Sequence, residues 1–481
     1  MIPLTLAEIS KSIGAQIKNV DSSLKITGKV CLNSKAVSTG DLFIAINGEK
    51  VDGHDFCQEA IKNGAVAAVV SREIPNIAQL VVNDGATNSK DVDQPTVIAL
   101  GKLANYLLSK LPNIWKIAVT GSSGKTTTKD LLADLGKLIG PTISPTGSYN
   151  NEIGLPQTVL ECDDKTKVLI LEMGARQVGN IDKLCTIAKP DTSIILNIGT
   201  AHAGIFETED KILNTKSEII RCLSKNDVAV LNKEDKTFSQ QKTNARVVSF
   251  GLVGADVCAK NISLNANAQA QFDLEYKGKV SKVELKLVGA HQVSNSLAAA
   301  AVFLDKGIEI DQVTKVLSNS VAKSKWRMQV EVSSKNITVI NDSYNSNPES
   351  MKSALKTLKH IGEDKNTFVI MGEMLELGEK SKEYHEDIAK LIHQLGIKNC
   401  LIVGQGARPV FNYLQNQGFN GNVIFTENLD ETLLNAKKMI NPNDVVLVKA
   451  SRSIGLERVA NAIVSDFSDN LSNIKNQEVG P

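Results

Sequence analysis

The stretch KIAVTGSSGKTTTKDLLADLG, Lys116–Gly136, decides the fold. An apolar run, Lys116–Thr120, leads into the turn Gly121-Ser122-Ser123-Gly124-Lys125-Thr126-Thr127. A helical pattern follows, with apolar residues at Leu131, Leu132, Leu135, Leu138 and Ile139. Strand, glycine turn and helix together form the setting of a phosphate cradle. Backbone N–H groups and the helix N-terminus face the anion, and Lys125 adds a point charge. Thr126 puts a hydroxyl where the magnesium ion that accompanies ATP can bind. The usual loop, G-x-x-x-x-G-K-[ST], would need a glycine at Val119. Here the first glycine comes two residues later, so the loop is of a shorter kind.

Beyond this stretch, the runs KVLILEM (167–173), TSIILNIG (192–199) and DVAVLN (227–232) are apolar on both faces and alternate with amphipathic helices. Such runs suit central strands of a mostly parallel sheet covered by helices. Residues 253–288 switch to alternating apolar and polar positions, which predicts a small antiparallel excursion. The α/β rhythm returns after Lys323 with ITVIND, TFVIMG, NCLIVG, NVIFTE and DVVLVKA. Before Pro112 the pattern is short strands and turns, and 84–95 is polar enough to be a loop. The expectation is an α/β chain of three domains, 1–111, 112–322 and 323–481, with a polar tail frayed after Ser465.

The 481 residues and 42% hydrophobic content supply several cores. A net charge of +1 argues against a nucleic-acid coat or a membrane-surface binder. Seven scattered cysteines without a C-x-x-C pair read as thiols in a reducing compartment. No stretch has the apolar length of a membrane span, and the first residues lack a signal-peptide pattern. A cytoplasmic monomer without nucleic-acid partners or an integral membrane segment is expected.

Three ionisable residues follow later strands: Glu172 in LILEMG, His202 in NIGTAH, and Lys216 in the helix EDKILNTKSEII. In an open parallel sheet, ligands bind beyond the carboxyl ends of the strands, where Lys125 also sits. A carboxylate beside phosphates is best explained as a magnesium ligand. Each residue also has a plain reading: helix cap, hydrogen-bonded histidine, solvated lysine. Asparagine-rich turns add Asn150 and Asn151 in GSYNNEIGLP, and VINDSYNSNPESM opens a helix at Asn347-Pro348-Glu349.

TGSSGKTT resembles the short phosphate loop of the Mur ligases and their folate-polyglutamate relatives, which are ATP-dependent carboxylate–amine ligases. The further motifs GSYNNEIGLP, LEMGA, NIGTAH, DSYNSNP and MGEMLELGEKSKEYH resemble the branch that adds D-Ala-D-Ala to UDP-MurNAc-tripeptide. The resemblance implies a small UDP-substrate domain, a central ATPase domain and a Rossmann-like C-terminal domain that closes over ATP. It also assigns roles. Gly121, Ser122, Ser123, Gly124, Lys125, Thr126 and Thr127 would hold the phosphates, and Asn295, Arg327, Asp342 and Asn345 the rest of the nucleotide. Thr126 and Glu172 would hold one magnesium ion. His202 would hold a second together with Lys216, if that lysine is carboxylated at its side-chain nitrogen. Lys125, Glu172, His202 and Lys216 would be the catalytic set. Ser34, Lys35, Asn47, Gly48, Asn150, Asn151, Asn347, Lys449 and Ser451 would contact the two substrates.

Asn33-Ser34-Lys35 stands where the family commonly has Asp-Ser-Arg, which keeps a positive charge but loses a bidentate grip. Alternatives are a diamino-acid-adding ligase of the same family, a folylpolyglutamate synthase, or an unrelated P-loop ATPase or kinase. The last predicts the full-length loop and an aspartate-ended metal strand. A catalytically dead relative would have lost Lys125, Glu172 or His202.

Overall fold

The apolar runs around the glycine turn become neighbours in a nine-stranded sheet in this computed structural model. It describes residues 1–48, 50–82, 94–199, 203–206 and 208–467. The strand Trp115–Thr120 lies between Val168–Glu172 and Thr192–Ile195, and all three are parallel. The chain therefore leaves the first of these strands toward one side of the sheet and later returns to its other side. That reversal opens a crevice at the carboxyl ends, and the glycine turn sits in it. Register carries the chemistry with it: Glu172 pairs with Val119, and Ile195 with Thr120.

The alternating segment is antiparallel as expected and continues the same sheet. Strands Val257–Leu264, Gln269–Tyr276 and Lys279–Val288 pair in succession beyond Arg246–Gly251. Their inward residues Phe272, Leu274, Val283, Leu285 and Leu287 are buried, and the helix Ile310–Asn319 packs on the last strand.

Toward the N-terminus, a five-stranded sheet runs Ala15–Lys18, Gln79–Val82, Ala67–Val70, Leu42–Ile44, Val30–Cys31, antiparallel only at the first pair. Pro95, read above as the end of a loop, instead opens the helix Pro95–Ser109. Proline fits the first helical position because its missing N–H would be unpaired there anyway. Most of the polar segment before it, 83–93, lies outside the described residues, as does the tail from 468. This helix joins two sheets. Leu100, Leu103, Ala104 and Leu107 share one continuous apolar core with Leu155, Val159, Ile181 and Leu184 of the central unit.

The third sheet has six strands in the order Gln329–Val332, Thr338–Asn341, Val445–Lys449, Thr367–Gly372, Asn399–Val403, Asn422–Thr426, with the first pair antiparallel. Its two faces are covered by separate apolar clusters. No helix of the described residues is long and apolar enough to cross a membrane. All seven cysteines are unpaired.

Candidate active site

The glycine turn is built so that side chains cannot block it. Gly124 has φ +84°, and a Cβ there would lie 2.4 Å from Asn295 Oδ1. Glycine is therefore required twice, by backbone conformation and by space. The turn is pinned from below: Asn197 accepts from the Ser123 N–H at 3.0 Å, and the Ser122 hydroxyl accepts from the Gly199 N–H at 2.8 Å. The helix Lys125–Gly136 begins at once, and Lys125 donates to the Gly121 carbonyl at 2.7 Å. Burial pushes the Lys125 ammonium below the ordinary lysine range, against the supporting charge of Glu172.

Glu172, at its strand end, is 1% exposed. One oxygen accepts from Asn150 at 2.8 Å, and the other has no hydrogen-bond partner among the described residues. Arg327 is in a similar state: its guanidinium donates to Ser148 at 2.9 Å while its Nε is buried without a partner. Ser148 also meets the Thr126 hydroxyl at 3.2 Å. An orphaned carboxylate oxygen and an orphaned guanidinium nitrogen facing one cleft call for a ligand of mixed charge. A magnesium-bound polyphosphate is such a ligand. Among the described residues no group of three His, Cys, Asp or Glu forms a complete metal cage. One carboxylate and one hydroxyl suit magnesium, which usually takes its remaining ligands from phosphates and water.

Lys216 projects from the helix Glu209–Arg221 into the same cleft and is 2% exposed. Burial holds its amine well below the ordinary lysine value, and nearby Lys125 pushes it the same way. A neutral buried amine is the form that adds carbon dioxide, and the product is an anionic ligand. His202, the suggested co-ligand, lies outside the described residues.

The cleft has a volume of about 780 Å³ and is walled by the central and third units. From the third unit, the helix Pro348–Ile361 starts at the rim, capped by Asn347, whose side chain also reaches the Ser122 carbonyl at 3.5 Å. Asn295, Asp342, Asn345, Asn150 and Asn151 line the cleft together with Ser122–Thr127. Two residues not singled out from the sequence join them. Ser148 bridges Thr126 and Arg327, and Tyr344 places its ring 4.0 Å from the Arg327 guanidinium. Ser148 belongs to the same GSYNN turn that flagged Asn150, which was the available signal.

Other candidates lie elsewhere. Ser34, Lys35, Asn47 and Gly48 do not line this cleft. Ser34 is buried and donates to Glu59 at 2.5 Å, and the Asn47 backbone is paired with the Gln94 amide at 2.9 and 2.8 Å. Lys35 is exposed. The Ser451 hydroxyl accepts from the Leu375 N–H at 2.9 Å. Lys449 reaches the cleft wall, but its ammonium is taken up by Asp342 and the Asn345 carbonyl.

Three stretches match the Mur ligase families: residues 28–103 the family's catalytic domain, 119–303 its middle domain, and 326–452 its glutamate ligase domain. The chain is 35% identical to the UDP-N-acetylmuramoyl-tripeptide–D-alanyl-D-alanine ligase of Mycobacterium bovis, covering 97% of this chain and 98% of that one. It superposes on the crystal structure of MurF from Acinetobacter baumannii with a TM-score of 0.85 at 30% identity, covering 96% of this chain and 99% of that one. It also superposes on MurF from Thermotoga maritima in complex with ADP, with a TM-score of 0.77 at 28% identity over 94% and 99% of the two chains. The likeness runs along almost the whole length of these ligases, and the chain belongs to the Mur ligase family, in its MurF branch.

Proposed function

We propose that this chain is an ATP-dependent amide ligase that joins D-Ala-D-Ala to the peptide carboxylate of UDP-MurNAc-tripeptide. The products are UDP-MurNAc-pentapeptide, ADP and phosphate. The observation that carries the reading is the convergence of the phosphate loop, the orphaned Glu172 oxygen and the orphaned Arg327 nitrogen in one cleft. Near-full-length likeness to ligases of that name supplies the substrates.

A carboxylate is a poor electrophile. The chemistry begins when its oxygen takes the γ-phosphoryl group of ATP: the bond to the β–γ bridging oxygen breaks and ADP leaves. The dipeptide amine then attacks the acyl phosphate, loses a proton, and expels phosphate. Lys125 and the N-terminus of its helix would hold the β and γ oxygens, and Arg327 would neutralise charge from the opposite wall. Magnesium, when bound, supplies Lewis acidity and charge neutralisation. Thr126 and Glu172 would hold one ion, and His202 would hold a second together with Lys216 if that lysine is carboxylated. Asn150 orients Glu172 through the bond at 2.8 Å. Asn151 and Asn347 are assigned to the substrates at the rim, and Ser34, Lys35, Asn47 and Gly48 to the UDP end. Seven unpaired cysteines support residence in the reducing cytoplasm.

The test is phosphate release from ATP in the presence of UDP-MurNAc-tripeptide, with D-Ala-D-Ala, lysine or diaminopimelate as acceptor. Release driven by the dipeptide supports the reading. Release driven by a single amino acid instead would move the chain to a diamino-acid-adding function.

A further inference from the structure

Lys449 ends the strand Val445–Lys449 in the middle of the third sheet, and its side chain is 1% exposed. It makes three contacts: Asp342 Oδ2 at 2.5 Å, the Asn345 carbonyl at 2.8 Å and the Asp342 carbonyl at 3.4 Å. An ammonium has three donors, so these contacts leave none for a substrate. Asp342 begins the turn that leads to Asn347 at the cleft rim. Its other oxygen accepts from the Met328 N–H at 2.9 Å.

Met328 belongs to the crossing between the central and third units, and the backbone there is strained. Trp326 has φ +59° and Met328 has φ +50°, left-handed conformations that non-glycine residues adopt only when held. Three hydrogen bonds hold them: Met328 N–H to Asp342, Tyr344 N–H to the Trp326 carbonyl at 3.0 Å, and Trp326 N–H to Gln329 at 3.2 Å. Between the two strained residues sits Arg327, whose guanidinium crosses to Ser148 and through it meets Thr126. An unbroken polar path thus runs from Lys449 to the first residues of the phosphate-loop helix.

We propose that Lys449 is a positioning residue for the nucleotide rather than a contact for the incoming dipeptide. By fixing Asp342 and Asn345 it holds the Trp326–Met328 crossing in its strained form and so aims Arg327 at the phosphate loop. The inference rests on the ligase reading for its kinetics but not for its binding test.

The experiment measures the dissociation constant of MgADP for the free protein, and separately the KM values for ATP and for D-Ala-D-Ala. Lys449→Met is expected to weaken MgADP and raise the KM for ATP about tenfold or more, with the dipeptide KM within about twofold of wild type. Asp342→Asn should weaken MgADP in the same way, and the double variant should be no weaker than the worse single one. The double variant leaves no buried charge unpaired, so it serves if Lys449→Met fails to fold. A selective rise in the dipeptide KM with MgADP binding unchanged would overturn the proposal, as would additive losses in the double variant. If the wild-type protein does not ligate, the function reading fails, while the MgADP measurements still decide the role of Lys449.

Discussion

The central unit meets its two neighbours through junctions of opposite character. Toward the N-terminus the helix Pro95–Ser109 shares a continuous apolar core with the central helices, and Gly101 lets Ile187 approach closely. Toward the third unit the contacts are mostly polar and small. They include Arg327 to Ser148, Asn347 to the Ser122 carbonyl, Ser324 to Asp130 at 2.8 Å, and the Gly204 N–H to the Glu376 carbonyl at 2.9 Å. Separating an apolar core exposes area at roughly 25 cal/mol per Å², whereas polar contacts exchange for water at little net cost. The first junction is therefore costly to separate and the second much less so. The residues proposed to hold the nucleotide are concentrated at the second, where opening would admit substrates and closure would exclude water from the proposed acyl phosphate.

The largest effect should come from jamming the polar junction. A Cβ on Gly204 would lie 2.2 Å from the Gly378 nitrogen and 2.6 Å from its Cα, backbone that cannot step aside. Gly204→Ala should lower dipeptide-dependent turnover by about 100-fold, the scale of an ångström-sized misplacement, while the melting temperature holds. Unchanged turnover would show that this contact is not part of the working form.

At the apolar junction the balance reverses. Leu103, 1% exposed, lies in the shared core, and Leu103→Ala should cost about 2–5 kcal/mol in denaturant unfolding. Turnover per folded molecule should stay within about twofold. A large kinetic loss without destabilisation would mean that this junction moves too.

The smallest effect lies outside the cleft, where Asp52 anchors His54 and Arg72. Burial alone would raise its pKa, but hydrogen bonds from the His54 N–H, Arg72 and the His54 ring prevail and bring it down to about 2. The folded value is below the unfolded one, so the stabilisation is present above about pH 4 and is lost as pH falls through about 2. Solvent screens the carboxylate and its half-exposed Arg72 partner, so this amounts to about 1 kcal/mol at neutral pH, and Asp52→Asn should remove it. Acid unfolding curves of the two proteins should converge near pH 2, and a gap persisting there would contradict the assignment.

Much of the site was legible because its chemistry is local. A glycine turn between strand and helix, or Asn347 before Pro348 at a helix start, is set by neighbouring residues and survives any tertiary context. Glu172 was legible because a parallel sheet sends all its carboxyl ends to one edge. The use of Lys449 was not, since it depends on a carboxylate 107 positions away on the adjoining strand end. Ser34 likewise pairs with Glu59 of a separate helix. The helix Pro95–Ser109 escaped at its start because proline reads equally as loop or first helical residue. Its role as a shared wall between two units follows from packing alone.

If the phosphate loop serves to activate a carboxylate for attack by an amine, that carboxylate must give one of its oxygens to phosphate. This transfer is tested most directly by labelling the terminal tripeptide carboxylate with ¹⁸O and following the label by mass spectrometry during turnover with ATP and D-Ala-D-Ala. One labelled oxygen should appear in the released phosphate for each amide bond formed. Unlabelled phosphate accompanying ligated product would contradict the transfer.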